Sequence, residues 1–199
     1  MASGSGPTMG LRERKKAKTR AAIQSHALRL FTEQGYDATT VQQIIEEVEV
    51  SESTFFRYFP TKADVVLADE FDPVIVDAFR AQPPGSTVIQ ALRAAFRAAF
   101  TQLTSEEHAT QQSRMILVLS VPELRAAMVD QFASAMGLLA EVVAERTGRP
   151  AGDIAVHTLA GAVVGAAMAA MFAVADDPSV DLAVRLDESM ACLENGLGL

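Results

Sequence analysis

Apolar residues recur at helical spacing along almost the whole chain. Ile23, Ala27, Leu30 and Phe31 share one face at i, i+4, i+7 and i+8, which predicts a helix over 12–34 that Gly35 stops. A short helix follows over 40–48, opened by Thr40-x-x-Gln43, a capping-box pattern. Ser51 caps a third helix that runs to Phe59 and ends at Pro60. Thr61 and Asp64 form a second capping box and open a longer fourth helix, which Pro73 is expected to kink or break. Pro83, Pro84 and Gly85 then interrupt the chain.

Beyond that break, Ile89, Leu92, Phe96, Phe100 and Leu103 predict a helix over 87–103, and a further helix is read over 106–121. Pro122 opens the next one, whose stripe is Leu124, Met128, Phe132, Met136, Leu139 and Val143, and Gly148 ends it. Residues 154–175 are 22 consecutive positions without a formal charge. The last helix carries Leu186, Met190, Leu193 and Leu197. The expected fold is all-α, with about nine helices and no strand. Residues 1–10 are read as a disordered tail, 11–60 as an N-terminal three-helix domain, and 61–199 as a larger helical domain.

The uncharged segment also passes as a membrane span, and Gly161-x-x-x-Gly165 within it is a helix-pairing pattern. Against that, eleven of its 22 residues are Ala or Gly, His157 interrupts it, and no basic cluster flanks it. A buried helix packing through small residues is the better reading. The N-terminus has no basic run followed by an apolar one, so it does not read as a signal peptide, and the cytoplasm is the expected compartment.

Composition narrows the chemistry. Cys192 is the only cysteine, so an intrachain disulfide and a Cys-based zinc site are excluded. His26, His108 and His157 are the only histidines, with no i,i+4 pair, and neither a metal nor a cofactor is expected. No nucleophile-elbow, P-loop or dinucleotide-binding motif is present. An enzyme using His108 or His157 as a base remains a remote alternative.

The net charge of −8 at first disfavours nucleic acid, because duplex DNA repels an acidic surface. Its distribution reverses that. Residues 1–60 hold eight bases and seven acids, and residues 61–199 hold nine bases and eighteen acids. Six bases (Arg12, Arg14, Lys15, Lys16, Lys18 and Arg20) face only Glu13 within nine residues. A basic run ahead of two short helices joined by a tight turn suits a helix-turn-helix that reads a major groove. In its second helix Phe55 and Phe59 point inward, and Glu52, Ser53, Phe56 and Arg57 point outward.

The stretch from Lys18 to Val66 resembles the TetR family of one-component regulators. The matching residues are Ala38-Thr39-Thr40-Val41, then Val50-Ser51-x-Ser53-Thr54-Phe55-Phe56-Arg57-Tyr58-Phe59-Pro60-Thr61-Lys62. The resemblance implies DNA contacts from Thr40, Gln42, Glu52, Ser53, Thr54, Phe56, Arg57, Tyr58 and Lys62. Lys15 and Lys16 of the basic run and Ser51 at the cap complete the expected double-stranded DNA interface. This chain departs from the family at Ile45, where a small Ala is usual, and at Val48-Glu49, where relatives have Ala-Gly. Either Glu49 adopts the left-handed turn geometry, or the turn differs.

The resemblance further implies a ligand-binding, dimerising helical body, with a small-molecule effector and a homodimer as partners and no membrane. Gly161, Ala162, Gly165, Ala166 and Ala169, with Leu186, Met190 and Leu193, are the expected dimer seam. The expected ligand set is Phe96, Phe100, Arg114, Met115, Met128, Phe132, Met136, His157, Met168 and Phe172. The alternative is that these are plain core residues. Arg114 through Pro122-Glu123-Leu124 resembles the subgroup with an acyl-CoA-like ligand domain. The implied function is a repressor that leaves a palindromic operator when an apolar or acyl effector binds. Aromatic drugs or metabolites are the second effector class.

Overall fold

The computed structural model describes residues 10–68, 71–177 and 179–198, apart from the side chains of Glu13, Phe71 and Asp72. The tail expected over 1–10 lies, except for Gly10, outside the described residues. Among the described residues the fold is all-α, and the ten helices fall into two units, 1–68 and 69–199.

The N-terminal unit contains α1 (Leu11–Gln34), α2 (Val41–Val48), α3 (Glu52–Tyr58) and α4 (Lys62–Leu67). Local signals set each boundary. Gly35 ends α1 at φ 89°, a conformation that favours glycine. The Thr40 side chain accepts from Gln43 N, and the Gln43 side chain accepts from Thr40 N, closing a capping box. Ser51 Oγ accepts from Thr54 N, and Thr61 and Asp64 close a second box. The core is Ile23, Ala27, Phe31, Ile44, Phe55, Phe59, Val65 and Val66, all essentially without solvent exposure. Gln24 ties α1 to α4 by donating to the carbonyls of Val65 and Ala68 at 3.0 and 2.9 Å.

Two expectations change here. The domain boundary placed after residue 60 falls after Ala68, because α4 buries Ala63, Val65 and Val66 within the first unit. The single long fourth helix is two helices, and the break is not at Pro73. The first ends at Leu67 with Ala68 as its C-cap, and Pro73 sits in the first turn of α5 (Phe71–Arg80). N–H groups of a first turn have no intrahelical acceptor, so proline is tolerated there.

The C-terminal unit contains α5, α6 (Val88–Thr101), α7 (Ser105–Ser120), α8 (Pro122–Thr147), α9 (Ile154–Asp176) and α10 (Leu182–Glu194). Helices α5, α6, α8, α9 and α10 enclose one core that includes Phe79, Leu92, Val143, Ala160, Val163, Leu186 and Met190. Both α8 and α9 are long and apolar enough to cross a membrane. In this fold α9 gives Val156, Ala160, Val163, Val164, Ala170 and Val174 to the core.

Candidate nucleic-acid interface and effector cavity

Helix α3 is short, and its orientation is set by two aromatic anchors. Phe55 and Phe59 are buried, with ring centroids 6.1 Å apart. One turn of helix then places Glu52, Ser53, Phe56 and Arg57 on the exposed side, as expected. The first turn is internally tied: Ser51 Oγ lies 2.8 Å from Thr54 Oγ1 and 3.1 Å from Ser53 Oγ. Phe56 remains 43% exposed, and an apolar ring held in water beside polar neighbours is suited to a thymine methyl. Arg57 lies with its guanidinium carbon 5.1 Å from the centre of the Tyr58 ring. Gln42, on the exposed side of α2, donates to Glu46 at 2.8 Å.

The turn between α2 and α3 resolves the question at Glu49. Its backbone is left-handed, φ 57° and ψ 42°, and its N–H caps the carbonyls of Ile45 and Glu46. A non-glycine residue there costs roughly 1 kcal/mol or more. This chain therefore keeps the usual turn shape with an unfavourable residue in it.

The basic run divides in two. Arg12, Arg14, Lys15, Lys16 and Lys18 are exposed along the first turns of α1. Arg20 is different: its guanidinium lies 5.5 Å from the centre of the Phe59 ring. Lys62 also departs from its expected role. Its ammonium donates to the carbonyls of Tyr36 and Thr39 at 2.9 and 3.2 Å and sits 4.1 Å from the centre of the Tyr36 ring. That geometry makes it a strut between α4 and the loop after α1, where the resemblance implied a DNA contact, of the kind a lysine makes to phosphate. Lys62→Met should lower the melting temperature of the head, yet leave the slope of log affinity against log salt at its wild-type value. A slope smaller by about one would restore the phosphate role.

The C-terminal unit holds a cavity of about 210 Å3. Phe96 and Phe100 of α6, Phe132 and Leu139 of α8, and Val163, Ala167 and Met171 of α9 form most of its wall. Helix α7 adds Gln111, Arg114 and Met115, which share a face at i, i+3 and i+4. Beside it, on the far side of Phe96, Phe100 and Leu186, runs a more open groove lined by Arg93, Arg97, His108, Asp187 and Glu188. There Arg93 donates twice to Asp187, at 2.8 and 2.9 Å, and once to Glu194 at 2.8 Å. Arg97 Nη2 donates to the same Asp187 at 2.7 Å. Hydrogen bonds from Arg93 first and Arg97 second hold the Asp187 carboxyl well below the usual carboxylate range. His108 Nε2 lies 2.9 Å from the Phe100 carbonyl, a structural contact.

Residues 23–68 match the family profile described as bacterial regulatory proteins, tetR family. Residues 86–198, more than half of the chain, match the MftR C-terminal domain. The chain is 37% identical over 169 residues to the HTH-type transcriptional regulator TcmR of Streptomyces glaucescens, covering 78% of this chain and 75% of that one. The chain belongs to the TetR family. It is also 28% identical over 187 residues to the protein named mycofactocin biosynthesis transcriptional regulator MftR of Mycobacterium tuberculosis, covering 92% and 93%. Among solved structures it is similar to Thermus thermophilus FadR in complex with lauroyl-CoA, with a TM-score of 0.57, 24% identity, and 90% and 95% coverage. It is similar as well to a SmeT–triclosan complex, with a TM-score of 0.59, 19% identity, and 88% and 91% coverage. As a TetR-family member this chain is a DNA-binding transcriptional regulator, not an enzyme, and its family is ligand-responsive.

Within this TetR-family chain the expected ligand set divides. Phe96, Phe100, Arg114, Met115 and Phe132 line the cavity. Met128, Met136, His157, Met168 and Phe172 do not. His157 and Phe172 face outward, Met128 is buried elsewhere, and Met136 packs its sulfur against Gly161. For His157, Met168 and Phe172 the cause is α9 itself: a helix apolar all round carries no periodic mark of its inward face. Gln111 and Met171 take the vacant places, and Gln111 was legible only as the residue three before Arg114.

The expected dimer seam divides in the same way. Gly165 and Ala169 are exposed, and Gly161 and Ala162 are half-buried. Leu186 and Met190 belong to the subunit's own core, with Ala166 and Leu193 packed against it. Helix α10 packs the face bearing Leu186 and Met190 against α6 and α9, and Val184 stays exposed.

Proposed function

We propose that this protein is a cytoplasmic, homodimeric repressor that binds a palindromic operator and is released by a small effector seated in the C-terminal cavity. The observation that carries the reading is the α3 geometry: Phe55 and Phe59 lock the helix, and Glu52, Ser53, Phe56 and Arg57 are left exposed. Thr40, Gln42, Ser51, Thr54 and Tyr58 flank that face, and Lys15 and Lys16 lie on the exposed basic run ahead of it. Glu52 suits an exposed cytosine amino group, and Arg57 suits the O6/N7 edge of guanine.

Dimerisation through the outer face of α9 supports two such helices. Gly161, Gly165, Met168 and Phe172 fall at i, i+4, i+7 and i+11, and Phe172 is an exposed aromatic on that line. A two-fold pair would read half-sites about one DNA turn apart, roughly 34–36 Å. Effector binding acts by population shift, favouring the state that does not fit the operator. The relatives crystallised with lauroyl-CoA and triclosan lend support to an apolar effector.

Fluorescence anisotropy with DNA from upstream of the protein's own gene tests the reading. Arg57→Ala should weaken binding by about 1–3 kcal/mol and relax the preference at one base in each half-site. Absence of sequence-dependent binding by the wild type at any palindrome in that region would reject it.

A further inference from the structure

The closed cavity and the open groove beside it meet at three residues, Phe96, Phe100 and Leu186. We infer, on the reading that the cavity is the effector site, that Phe100 is its specificity-determining residue. The Phe100 ring is a partition that limits the ligand to a compact molecule, one ring with a short arm. His108 is the residue that positions it.

Size comes first. The cavity holds about 210 Å3, and the groove about 540 Å3. A cavity of about 150 Å3 accepts one benzene ring, whereas drug-sized ligands usually fill ~300–1,000 Å3. The closed space therefore takes one ring with a short arm, and a longer molecule needs the groove as well. The side chains between the two spaces decide whether they act as one.

The three shared residues are not equivalent. Leu186 is buried in the core, so packing fixes its place. Phe96 lies more than a turn from the end of α6, beside the buried Leu92 and Ala95. Phe100 is half-buried and is the next to last residue of α6, just before the cap at Gln102. It lines the cavity, the groove and a third space of about 30 Å3, which has room for little more than a water. Among the described residues it alone lines all three. Truncating this one ring joins spaces that the other two residues leave apart.

His108, in the first turn of α7, holds the partition from the groove side. Its Nε2 lies 2.9 Å from the Phe100 carbonyl, and facing a carbonyl that nitrogen donates. The same carbonyl accepts from Leu103 N at 3.1 Å. The last carbonyls of a helix have no intrahelical partner, so His108 completes the end of α6. The two rings stand 6.2 Å apart, tilted by 50°. His108 lines the groove and the small space but not the cavity, so it acts on a cavity ligand through Phe100.

Ligand-observed NMR titration of the full chain tests this with neutral probes of one ring and a growing arm: benzyl alcohol, phenylpropanol and phenylhexanol. Each added methylene that finds apolar room tightens binding about fourfold. In the wild type, affinity should rise from benzyl alcohol to phenylpropanol and fall about tenfold or more at phenylhexanol. Phe100→Ala should bind phenylhexanol about tenfold or more tightly than the wild type does, and benzyl alcohol no more tightly. Phe100→Leu keeps most of the packing, should move the limit the same way, and decides the matter if Phe100→Ala does not fold. His108→Ala should also move the limit, and His108→Gln, which still offers the carbonyl a donor, should restore it. An even climb through phenylhexanol in the wild type, no saturable binding of the two shorter probes, or one profile shared by the wild type and both Phe100 variants would overturn the inference. A wild-type profile in His108→Ala would overturn the positioning role. Operator binding is read separately. A limit that shifts while bound probe leaves operator affinity unchanged would uphold the partition and remove the effector reading of the cavity. Operator release by a probe with an unshifted limit would do the reverse.

Discussion

Replacing Phe55 by alanine should abolish operator binding while leaving the C-terminal unit folded. The Phe55 ring has no solvent exposure and packs against two neighbours, edge-on to Phe56 at 5.3 Å and tilted to Phe59 at 6.1 Å. Truncating a buried phenylalanine costs about 3–5 kcal/mol, from lost apolar transfer and from the cavity left behind. A unit of this size has a folding free energy of the same order. The loss is therefore enough to unfold the head. The two units have separate cores, so calorimetry should show one transition lost and the other kept near its original temperature. Wild-type operator affinity in Phe55→Ala would contradict the anchoring role.

Asp187→Asn should be the most damaging single change among the ion pairs of the C-terminal unit. One carboxylate receives both Arg93 and Arg97, so the substitution weakens four hydrogen bonds between α6 and α10, at 2.5–2.9 Å. Its side chain is 23% exposed, so water screens part of the gain, and the expected cost is about 1–3 kcal/mol. The pH dependence follows from the lowered carboxyl pKa. A depressed acid contributes its stability above the ordinary aspartate value near ~4 and loses it as the pH falls towards the folded-state value. The gap between wild type and Asp187→Asn should be constant from about pH 5 to 7 and close below about pH 4. A gap that persists undiminished into acid would show that Asp187 acts by packing and not by charge.

The head was largely legible in the sequence because local chemistry sets its boundaries. Thr40 with Gln43, Ser51 with Thr54, and Thr61 with Asp64 act over three residues, and each cap occurs where that spacing predicts it. Lys62 shows where such reading stops. Its partners, Tyr36 and Thr39, lie more than twenty residues away, and a lysine beside a DNA-reading helix looks the same whether it meets phosphate or carbonyl. The C-terminal unit was legible as helices but not as faces. Met136, Met168, Met171 and Phe172 look alike in sequence, yet only Met171 reaches the cavity. Leu186 and Met190 mark an apolar face correctly without revealing whether their own subunit or a second one covers it.

The opening turns of α1 work against themselves. Arg12 and Lys16, Arg14 and Lys18, and Lys16 and Arg20 are like charges at i,i+4, each pair unfavourable by about 0.2–0.5 kcal/mol. They also crowd the positive end of the helix dipole. Among the described residues, no buried side chain holds this stretch until Ile23. Helix formation there is consequently coupled to whatever neutralises it. Added salt strengthens the arm's helix even as it weakens attraction to phosphate, so the two responses to ionic strength have opposite signs. The salt slope measured for operator binding is then a net quantity, smaller than the number of basic side chains that lie along the duplex.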